Sequence, residues 1–360
     1  MAGIVEAAVH VPRRRMPRAA LAAAHGWASP PGRPPAGARA IASWDEDAIT
    51  LGVAAARALG PVPVPESVTL ASTTHPFADR SNAGVLAAAL DLPDHVEAAD
   101  AGGSLRAGAT ALARALRSVR PGERALLCAA DVRPARPGSA AEATIGDAGA
   151  ALLLGTEDTL ADLLGHAVVS ADFVDHYRAT GAPGDYALEE RWVRDEAVAR
   201  LVPVAVQRVL GPHGLTPAEV EQVALAFPTP ALERAAAKAA GLSAQCEPIH
   251  LRLGHAGAAH ALVALVGALE AARPGDHILL LAFGQGVEAL LLRATDCIGT
   301  LRPTLAPALA NGVEDGNYTR FLAQRGLIDF DWGIRAERDQ RTAHSAAWRR
   351  ARDLLAFVGG

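Results

Sequence analysis

Two segments place chemically active side chains beside predicted helix starts. His255, in Gly254-His-Ala-Gly, precedes a helical stretch over 258–272, and Ser104 stands directly before another over 105–119. A helix N-terminus offers free N–H groups and a partial positive charge. If these two ends meet, they would stabilise an oxyanion or an enolate. An imidazole there could donate to a carbonyl, and a hydroxyl could act as a nucleophile.

A third segment, Asp172-Phe-Val-Asp-His-Tyr-Arg, is dense in titratable groups. Within it, the consecutive residues 175–178 could supply an acid, a base and an anion clamp. Because consecutive residues do not share one face, at most two of them can point into a single pocket. We therefore take His176 and Tyr177 as candidate acid/base residues.

Glycines flank the same helix starts and strand ends. The absence of a Cβ lets the backbone approach a ligand closely, but tight turns needed for packing explain the glycines equally well. The candidates for ligand binding through the backbone are Gly103, Gly257, Gly284 and Gly286. No Walker A pattern and no Gly-x-Gly-x-x-Gly after a strand occurs, which argues against nucleotide-dependent phosphoryl or hydride transfer.

The composition excludes several classes of protein. The chain has 360 residues, 50% of them hydrophobic, with 34 basic against 39 acidic side chains, so it is neither disordered nor a strongly basic nucleic-acid binder. The cysteines, Cys128, Cys246 and Cys297, lie far apart, so we expect neither a disulfide framework nor a metal site in this chain. Cys128 lies in an apolar strand and is predicted to be core. Without a leader-like N-terminus or an apolar run of about 20 residues, we expect a cytoplasmic protein with no membrane partner.

A repeat organises the chain. Arg120-Pro-Gly-Glu returns 153 residues later as Arg273-Pro-Gly-Asp, each copy between a helical stretch and a buried apolar run. The glycine loop and apolar strand from Gly146 are likewise echoed from Gly284. This ordered set predicts two pseudo-symmetric α/β halves. We predict the halves to span 1–165 and 166–297, with 298–360 as an extension outside the duplicated core.

Together with Ser72-Thr-Thr-His-Pro-Phe-Ala-Asp-Arg-Ser-Asn-Ala, these features resemble the thiolase superfamily from about Gly3 to Ala294. The resemblance is to prokaryotic hydroxymethylglutaryl-CoA synthases and ketoacyl synthase III-like proteins. It implies a five-layered α/β/α/β/α fold, a homodimer, and a coenzyme A thioester as substrate. Residues 298–360 resemble the tail that, in some bacterial members, leads into an OB-fold/zinc-ribbon acyl-CoA-binding domain. Such a protein or domain is therefore a predicted partner.

The chain departs from the family's catalytic pattern at four positions. Leu105 stands where the resemblance implies the nucleophilic cysteine, and Phe227 where it implies the general-base histidine. His255 replaces an asparagine and Thr73 replaces a glutamate. Leucine can neither form an acyl-enzyme nor pass a proton. Ser104, without a paired base, has a helix N-cap as its alternative role, and His255 could equally be a capping or buried hydrogen-bonded histidine.

Three functions stay open. The first is an acyl-CoA enzyme that forms or cleaves a carbon–carbon bond without a covalent intermediate, by aldol or retro-aldol chemistry on a β-hydroxyacyl-CoA. His255 would be its base or oxyanion donor, with His176 or Tyr177 as second acid/base. The second is a non-catalytic thiolase-fold subunit that binds acyl-CoA or scaffolds a partner enzyme. The third, synthase activity through Ser104 or a shifted cysteine, is disfavoured by the residues.

Overall fold

The first part of the chain alternates strands and helices. The structure, a computed structural model, describes residues 1–28, 36–243 and 249–330. Its first elements are β1 (Gly3–His10), β2 (Arg14–Pro17), α1 (Arg18–Ala24), β3 (Ala38–Ala40), α2 (Ala48–Ala58), β4 (Ser67–Ala71), α3 (Asn82–Ala89), β5 (Glu97–Ala101), α4 (Ala107–Ser118), β6 (Ala125–Asp131), α5 (Ala140–Thr144) and β7 (Ala148–Gly155).

The second part follows a similar order. It contains β8 (Ala161–Ser170), β9 (His176–Tyr177), β10 (Tyr186–Ala187), α6 (Glu190–Trp192), α7 (Ala199–Leu210), β11 (Gln222–Ala226), α8 (Pro230–Ala240), α9 (Ile249–Arg252), α10 (His260–Ala271), β12 (His277–Phe283) and β13 (Gly286–Ala294). The last described elements are α11 (Leu305–Ala310), β14 (Val313–Glu314) and α12 (Tyr318–Gln324). No described helix is long and apolar enough to cross a bilayer.

Nine strands form one mixed sheet in the order β11-β12-β13-β8-β1-β7-β6-β4-β5. The two halves meet at β1, which pairs with β7 along its length but with β8 only through Gly3 and Ile4. In each half, a parallel pair is followed by an antiparallel one: β4 with β6 and β6 with β7, then β11 with β12 and β12 with β13. This recurrence agrees with the duplication seen in the sequence.

The helices form three layers around the two parts of the sheet. α4 and α10 lie between them, where Leu112 and Leu262 pack with Leu127 of β6 and Leu280 of β12 in one apolar cluster. A second cluster joins α7 and α8 to the strands of the second half, and a third joins α2 and α3 to those of the first. The layers therefore alternate as α/β/α/β/α, and the predicted fold class is confirmed.

The repeated turn has the same structure in both copies. The Glu123 N–H donates to the Arg120 carbonyl at 3.0 Å, and the Asp276 N–H donates to the Arg273 carbonyl at 3.0 Å. Each turn joins a central helix to a buried strand, α4 to β6 and α10 to β12. Each needs a glycine at positive φ: Gly122 (+83°) and Gly275 (+91°).

Residues 298–330 pack onto the rest of the molecule. β14 adds to β2 in a small sheet with β3, and Phe321 of α12 packs on Met16, Leu21 and Ile41. The carboxylate of Glu270 also accepts the Leu305 N–H at 2.8 Å. The predicted extension is thus tied to the body of the protein as far as residue 330, and its remainder, 331–360, lies outside the described residues. The domain bounds stay a prediction.

Candidate functional site

The first central helix, α4, begins without a side-chain cap. Its N-cap residue is Arg106, and the helix itself starts at Ala107. Leu105 is buried, whereas Ser104 is half-buried and its carbonyl, not its hydroxyl, accepts the Ala107 N–H at 3.0 Å. Ser104 therefore does not make the helix cap that was its alternative role. With Gly103 it lines a wide groove of about 850 Å³ beside β5.

At the start of the second central helix, one backbone N–H group already donates a hydrogen bond to a carboxylate of the protein. A 3₁₀ turn, Gly257–Ala259, leads into α10, and the fully buried Asp131 at the end of β6 accepts the Ala258 N–H at 2.6 Å. Asp131 also accepts the Ser72 hydroxyl at 2.7 Å and the Thr73 hydroxyl at 2.8 Å. One of the N–H groups predicted to hold an oxyanion is therefore already bonded to Asp131.

Packing accounts for three of the four candidate glycines. A Cβ at Gly257 would lie 2.0 Å from Oδ2 of Asp131, and one at Gly286 would lie 2.2 Å from the Val169 carbonyl oxygen. A Cβ at Gly284 would lie 2.8 Å from the backbone nitrogen of Arg106. Only Gly103 among the four faces open space, since no heavy atom lies within 4 Å of its added Cβ.

His255 is buried and held in one tautomer. Its Nδ1 accepts the Gly257 N–H at 3.2 Å, so the proton of the neutral ring is on Nε2. Its backbone donates to the Thr144 carbonyl at 2.8 Å and accepts the Gly146 N–H at 3.0 Å. Burial lowers the pKa of His255 well below its ordinary value, and nearby positive charges, Arg133 among them, lower it further. The side chain is therefore a neutral Nε2–H donor.

His176 is paired with a buried carboxylate. Its Nδ1 lies 2.7 Å from Oδ2 of Asp175, which leaves the Nε2 lone pair free to accept a proton. Two residues after His176, Arg178 donates to Asp185, which also pairs with Arg133, and Arg133 lies against Gly257 beside His255. Tyr177, the next residue in β9, is 53% exposed and its ring packs 5.2 Å from that of Tyr186. The structure thus links the segments of His176 and His255 through Asp185 and Arg133, and it leaves Tyr177 at the surface.

A basic cavity of about 370 Å³ lies beside these residues. Asp185 bridges two of its arginines, with a contact to Arg133 and a 2.7 Å hydrogen bond from Arg178. Arg178 also donates to the Thr73 carbonyl. The arginines that line the cavity are Arg39, Arg133, Arg178 and Arg325. Arg178 belongs to the segment that the sequence analysis offered as a possible anion clamp. The other three arginines come from separate segments, and no sequence pattern singles them out.

The sequence interpretation also missed a buried cluster of Glu233, His250 and His260, here called the Glu-His₂ cluster. Oε1 of Glu233 lies 3.0 Å from Nε2 of His250 and 3.6 Å from Nε2 of His260. The His255 ring stacks on that of His260 with centroids 4.4 Å apart. The signal in the sequence was a His-x₄-His-x₄-His spacing from His250 to His260, but the carboxylate of Glu233 comes from a separate segment.

The described cysteines, Cys128 and Cys297, differ in burial. Cys128 lies fully buried in β6, as predicted, and burial raises the pKa of its thiol to about 12. Cys297 is half-buried in the 3₁₀ turn Asp296–Thr300, and Cys246 lies outside the described residues. Phe227 is fully buried and stacks on Phe283 with centroids 5.8 Å apart.

Solved structures of other proteins share this architecture. A crystal structure of a hydroxymethylglutaryl-CoA (HMG-CoA) synthase complexed with CoA superposes with a TM-score of 0.78 at 16% identity, covering 92% of this chain and 90% of that one. This chain has the thiolase fold. A 3-oxoacyl-(acyl carrier protein) synthase III from Pseudomonas aeruginosa shares the thiolase fold with a TM-score of 0.66 at 20% identity, covering 82% of this chain and 98% of that one.

The thiolase-fold chain is also similar to curated proteins. A hydroxymethylglutaryl-CoA synthase from Pyrococcus horikoshii is 29% identical over 322 residues, which is 83% of this chain and 87% of that protein. No family model matches the chain. The predicted similarity to hydroxymethylglutaryl-CoA synthases is therefore confirmed.

Proposed function

We propose that this thiolase-fold protein acts on a coenzyme A thioester and forms or cleaves a carbon–carbon bond without an acyl-cysteine intermediate. The sequence similarity to hydroxymethylglutaryl-CoA synthases and the CoA bound to a structural neighbour support the choice of substrate class. The proposal rests on two imidazoles whose segments are linked through Asp185 and Arg133. His176 has Nε2 free to accept a proton, and His255 has Nε2–H free to donate a hydrogen bond.

The reaction is retro-aldol cleavage of a β-hydroxyacyl-CoA, or its reverse. Nε2 of His176 removes the β-hydroxyl proton, and Asp175 stabilises the imidazolium that forms. The Cα–Cβ bond breaks, its electron pair moves to the thioester carbonyl, and Nε2–H of His255 donates to the resulting enolate oxygen. The proton held by His176 returns to Cα, which gives a shorter acyl-CoA and an aldehyde or ketone.

Two features support a reaction without a covalent step. Leu105 stands where the family resemblance implies a cysteine, and the thiol of Cys128 is buried with a raised pKa. Acyl transfer through an enzyme thiolate needs a reachable sulfur of lowered pKa. Aldol chemistry needs only a base and an oxyanion donor, and the imidazole pair supplies both.

The basic cavity supports the binding of an anionic ligand. Asp185 is shared between Arg133 and Arg178, so one carboxylate faces two guanidinium groups. Guanidinium groups bind phosphate oxygens well, and coenzyme A carries phosphates at a distance from its thioester. We therefore propose that this cavity receives a phosphate of coenzyme A while the thioester lies near His255.

We also propose that the protein is a homodimer. β5 ends the nine-stranded sheet, and four of its five residues are exposed. An exposed sheet edge has unpaired backbone groups that a second copy can satisfy. The OB-fold acyl-CoA-binding partner rests on the resemblance of the tail alone and stays a proposal, which the experiment below includes.

The test is mass spectrometry of CoA products after incubation with a panel of β-hydroxyacyl- and β-ketoacyl-CoAs, with and without an OB-fold acyl-CoA-binding protein. Wild type should release a shorter acyl-CoA, and His176→Gln and His255→Ala should each lose about 100-fold or more in rate. Tyr177→Phe is the matched control and should retain activity. Alkylation by iodoacetamide should leave the rate unchanged.

Two other results would replace the proposal. Tight binding of the CoA esters with no turnover would assign the protein to the alternative function, a non-catalytic subunit. Turnover that iodoacetamide abolishes would instead indicate a cysteine-dependent synthase.

A further inference from the structure

We propose that the Glu-His₂ cluster binds a divalent transition-metal ion, with Zn²⁺ as the reference ion. The cluster is built by three helices: Glu233 lies in the first turn of α8, His250 in α9, and His260 at the start of α10. Two imidazoles and a carboxylate are a ligand set that zinc and related ions use, with a fourth position left for water. The inference is independent of the retro-aldol proposal.

The separations within the Glu-His₂ cluster suit a common ion. One ligand atom from each of the three residues lies within 4.8 Å of the others. Around a tetrahedral zinc ion with metal–ligand bonds of about 2.0–2.2 Å, neighbouring ligand atoms are about 3.3–3.5 Å apart. The distances from Oε1 of Glu233 to the two Nε2 atoms, 3.0 and 3.6 Å, bracket that value.

Unsatisfied polar atoms point to the same conclusion. Oε1 of Glu233 and Nε2 of His250 are both buried and lie 3.0 Å apart, but the contact does not meet the angle of a hydrogen bond and neither atom has another partner. Each of these two residues is 4% exposed. Buried polar groups without partners are costly and uncommon in folded proteins. An ion between them would satisfy both atoms at once.

The surroundings provide room and access. A cavity of about 360 Å³ is lined by Glu233 and His260 of the cluster and extends past Ser243 to Glu221. Glu221 carries a side chain that is 47% exposed, so the cavity reaches the protein surface. Such a cavity gives the ion an entry path and gives its fourth coordination position space for a water molecule.

Binding requires one proton shift. Nδ1 of His260 accepts the Ala256 N–H at 3.2 Å, so in the metal-free protein the ring proton is on Nε2. When the ion binds Nε2, this proton moves to Nδ1 and the contact with Ala256 is given up. The imidazole stays neutral throughout, as a histidine ligand does. His255 remains outside the ligand set, because the ligand atoms that lie within 4.8 Å of one another come from Glu233, His250 and His260.

The experiment uses the full chain, freed of metal with EDTA and desalted, then titrated with Zn²⁺ or Co²⁺. We expect one equivalent of bound metal per chain by elemental analysis after gel filtration. Zn²⁺ should raise the Tm, and Co²⁺ should give the visible absorption typical of a tetrahedral site. Glu233→Gln and His250→Gln should each weaken Zn²⁺ binding by about 100-fold or more. His213→Gln, which changes an exposed histidine, is the matched control and should bind like wild type.

Wild type alone decides the question if a ligand variant fails to fold. A folded wild-type protein that shows neither saturable Zn²⁺ binding nor a shift in Tm would overturn the proposal. So would binding that survives in folded forms of both ligand variants. In either case the Glu-His₂ cluster would be a hydrogen-bonded network without an ion.

Discussion

Glu288 ties the central helix α4 to the sheet through one buried carboxylate. It accepts the Thr110 hydroxyl at 2.8 Å, lies 2.7 Å from Nε2 of His166, and pairs with Arg106. Burial opposes the charge on Glu288, but the bonds from His166 and Thr110 and the charge of Arg106 bring its pKa below the ordinary value. The folded state therefore favours the ionised form.

This shift predicts a pH-dependent stability. The pKa of Glu288 is lower in the folded state than its ordinary value of 4.5. The carboxylate therefore stabilises the fold fully above this ordinary pKa, and the stabilisation is lost as the pH falls through the pKa of the folded state. Glu288→Gln should reduce the free energy of unfolding by about 1–3 kcal/mol at pH 7 and by less at pH 3.5. Urea unfolding across this pH range measures the difference.

The exposed pair of Glu189 and Arg191 offers a control, with side chains 74% and 73% exposed. Glu189→Gln should change the free energy of unfolding little at any pH. If Glu288→Gln changed the free energy of unfolding equally at pH 7 and pH 3.5, the lowered pKa of Glu288 would be contradicted.

Asp175 holds His176 for the proposed reaction. In Asp175→Asn the amide can donate to Nδ1 of His176 and so favour the wrong tautomer, with the proton on Nε2. We expect kcat for cleavage of a β-hydroxyacyl-CoA to fall about tenfold or more, with a smaller change in KM. Asp172→Asn, at an exposed position, should leave kcat unchanged. Equal kcat in Asp175→Asn and wild type would remove His176 as the base.

At the residue scale, the sequence predicted the candidate site residues better than it predicted their chemical roles. His255 stood out because it stands at a predicted helix start, and His176 because its segment is dense in titratable groups. At most two of the residues 175–178 could point into one pocket, and which ones do so depends on how β9 pairs with β10. The roles of Asp131 and Glu233 could not be predicted, since their partners come from distant segments.

At the scale of elements, the two central helices approach very closely at one glycine. A Cβ at Gly108 would lie 2.3 Å from the Ala258 carbonyl oxygen, so α4 and the turn before α10 touch through backbone alone. Gly108→Ala should therefore force the two apart and lower the free energy of unfolding by about 1–3 kcal/mol. Chemical denaturation followed by circular dichroism measures the change.

Gly299 provides the matched control for Gly108. It is exposed, and no heavy atom lies within 4 Å of its added Cβ. Gly299→Ala should leave the stability within about 0.5 kcal/mol of wild type. If Gly108→Ala were equally neutral, the close approach of α4 to the turn would not limit packing.

Element positions were largely predictable, but their ends were not. The apolar stretches 105–119 and 258–272 predicted helices that the structure has at Ala107–Ser118 and His260–Ala271. The second helix starts late because Gly257–Ala259 forms a 3₁₀ turn that brings Ala258 to Asp131. That contact depends on the end of β6, more than a hundred residues earlier in the chain.

At the scale of the whole molecule, the open edge at β5 predicts self-association. Ala98→Lys places a charge on this exposed edge and should shift the proposed dimer toward monomer. Ala310→Lys, at an exposed position on α11, is the control and should leave the mass unchanged. Analytical ultracentrifugation measures both. A wild-type protein that is monomeric at micromolar concentration would refute the dimer.

The duplication made the architecture of the whole molecule predictable, because the repeated turn marks equivalent places in both halves. The packing of residues 298–330 was not predictable, because short segments such as Val313–Glu314 carry too little pattern to reveal their partner strand. The apolar neighbours of Phe321 are Met16, Leu21 and Ile41, which lie about 280 residues or more before it in the chain.

Asp131 makes the two halves depend on each other. Its carboxylate accepts five hydrogen bonds, four from residues 72–74 in the first half and one from Ala258 in the second. A chain cut between the halves would leave this buried charge short of a partner and open the tight contact at Gly108. Unfolding should therefore be a single cooperative transition, and neither half should refold as a separate fragment.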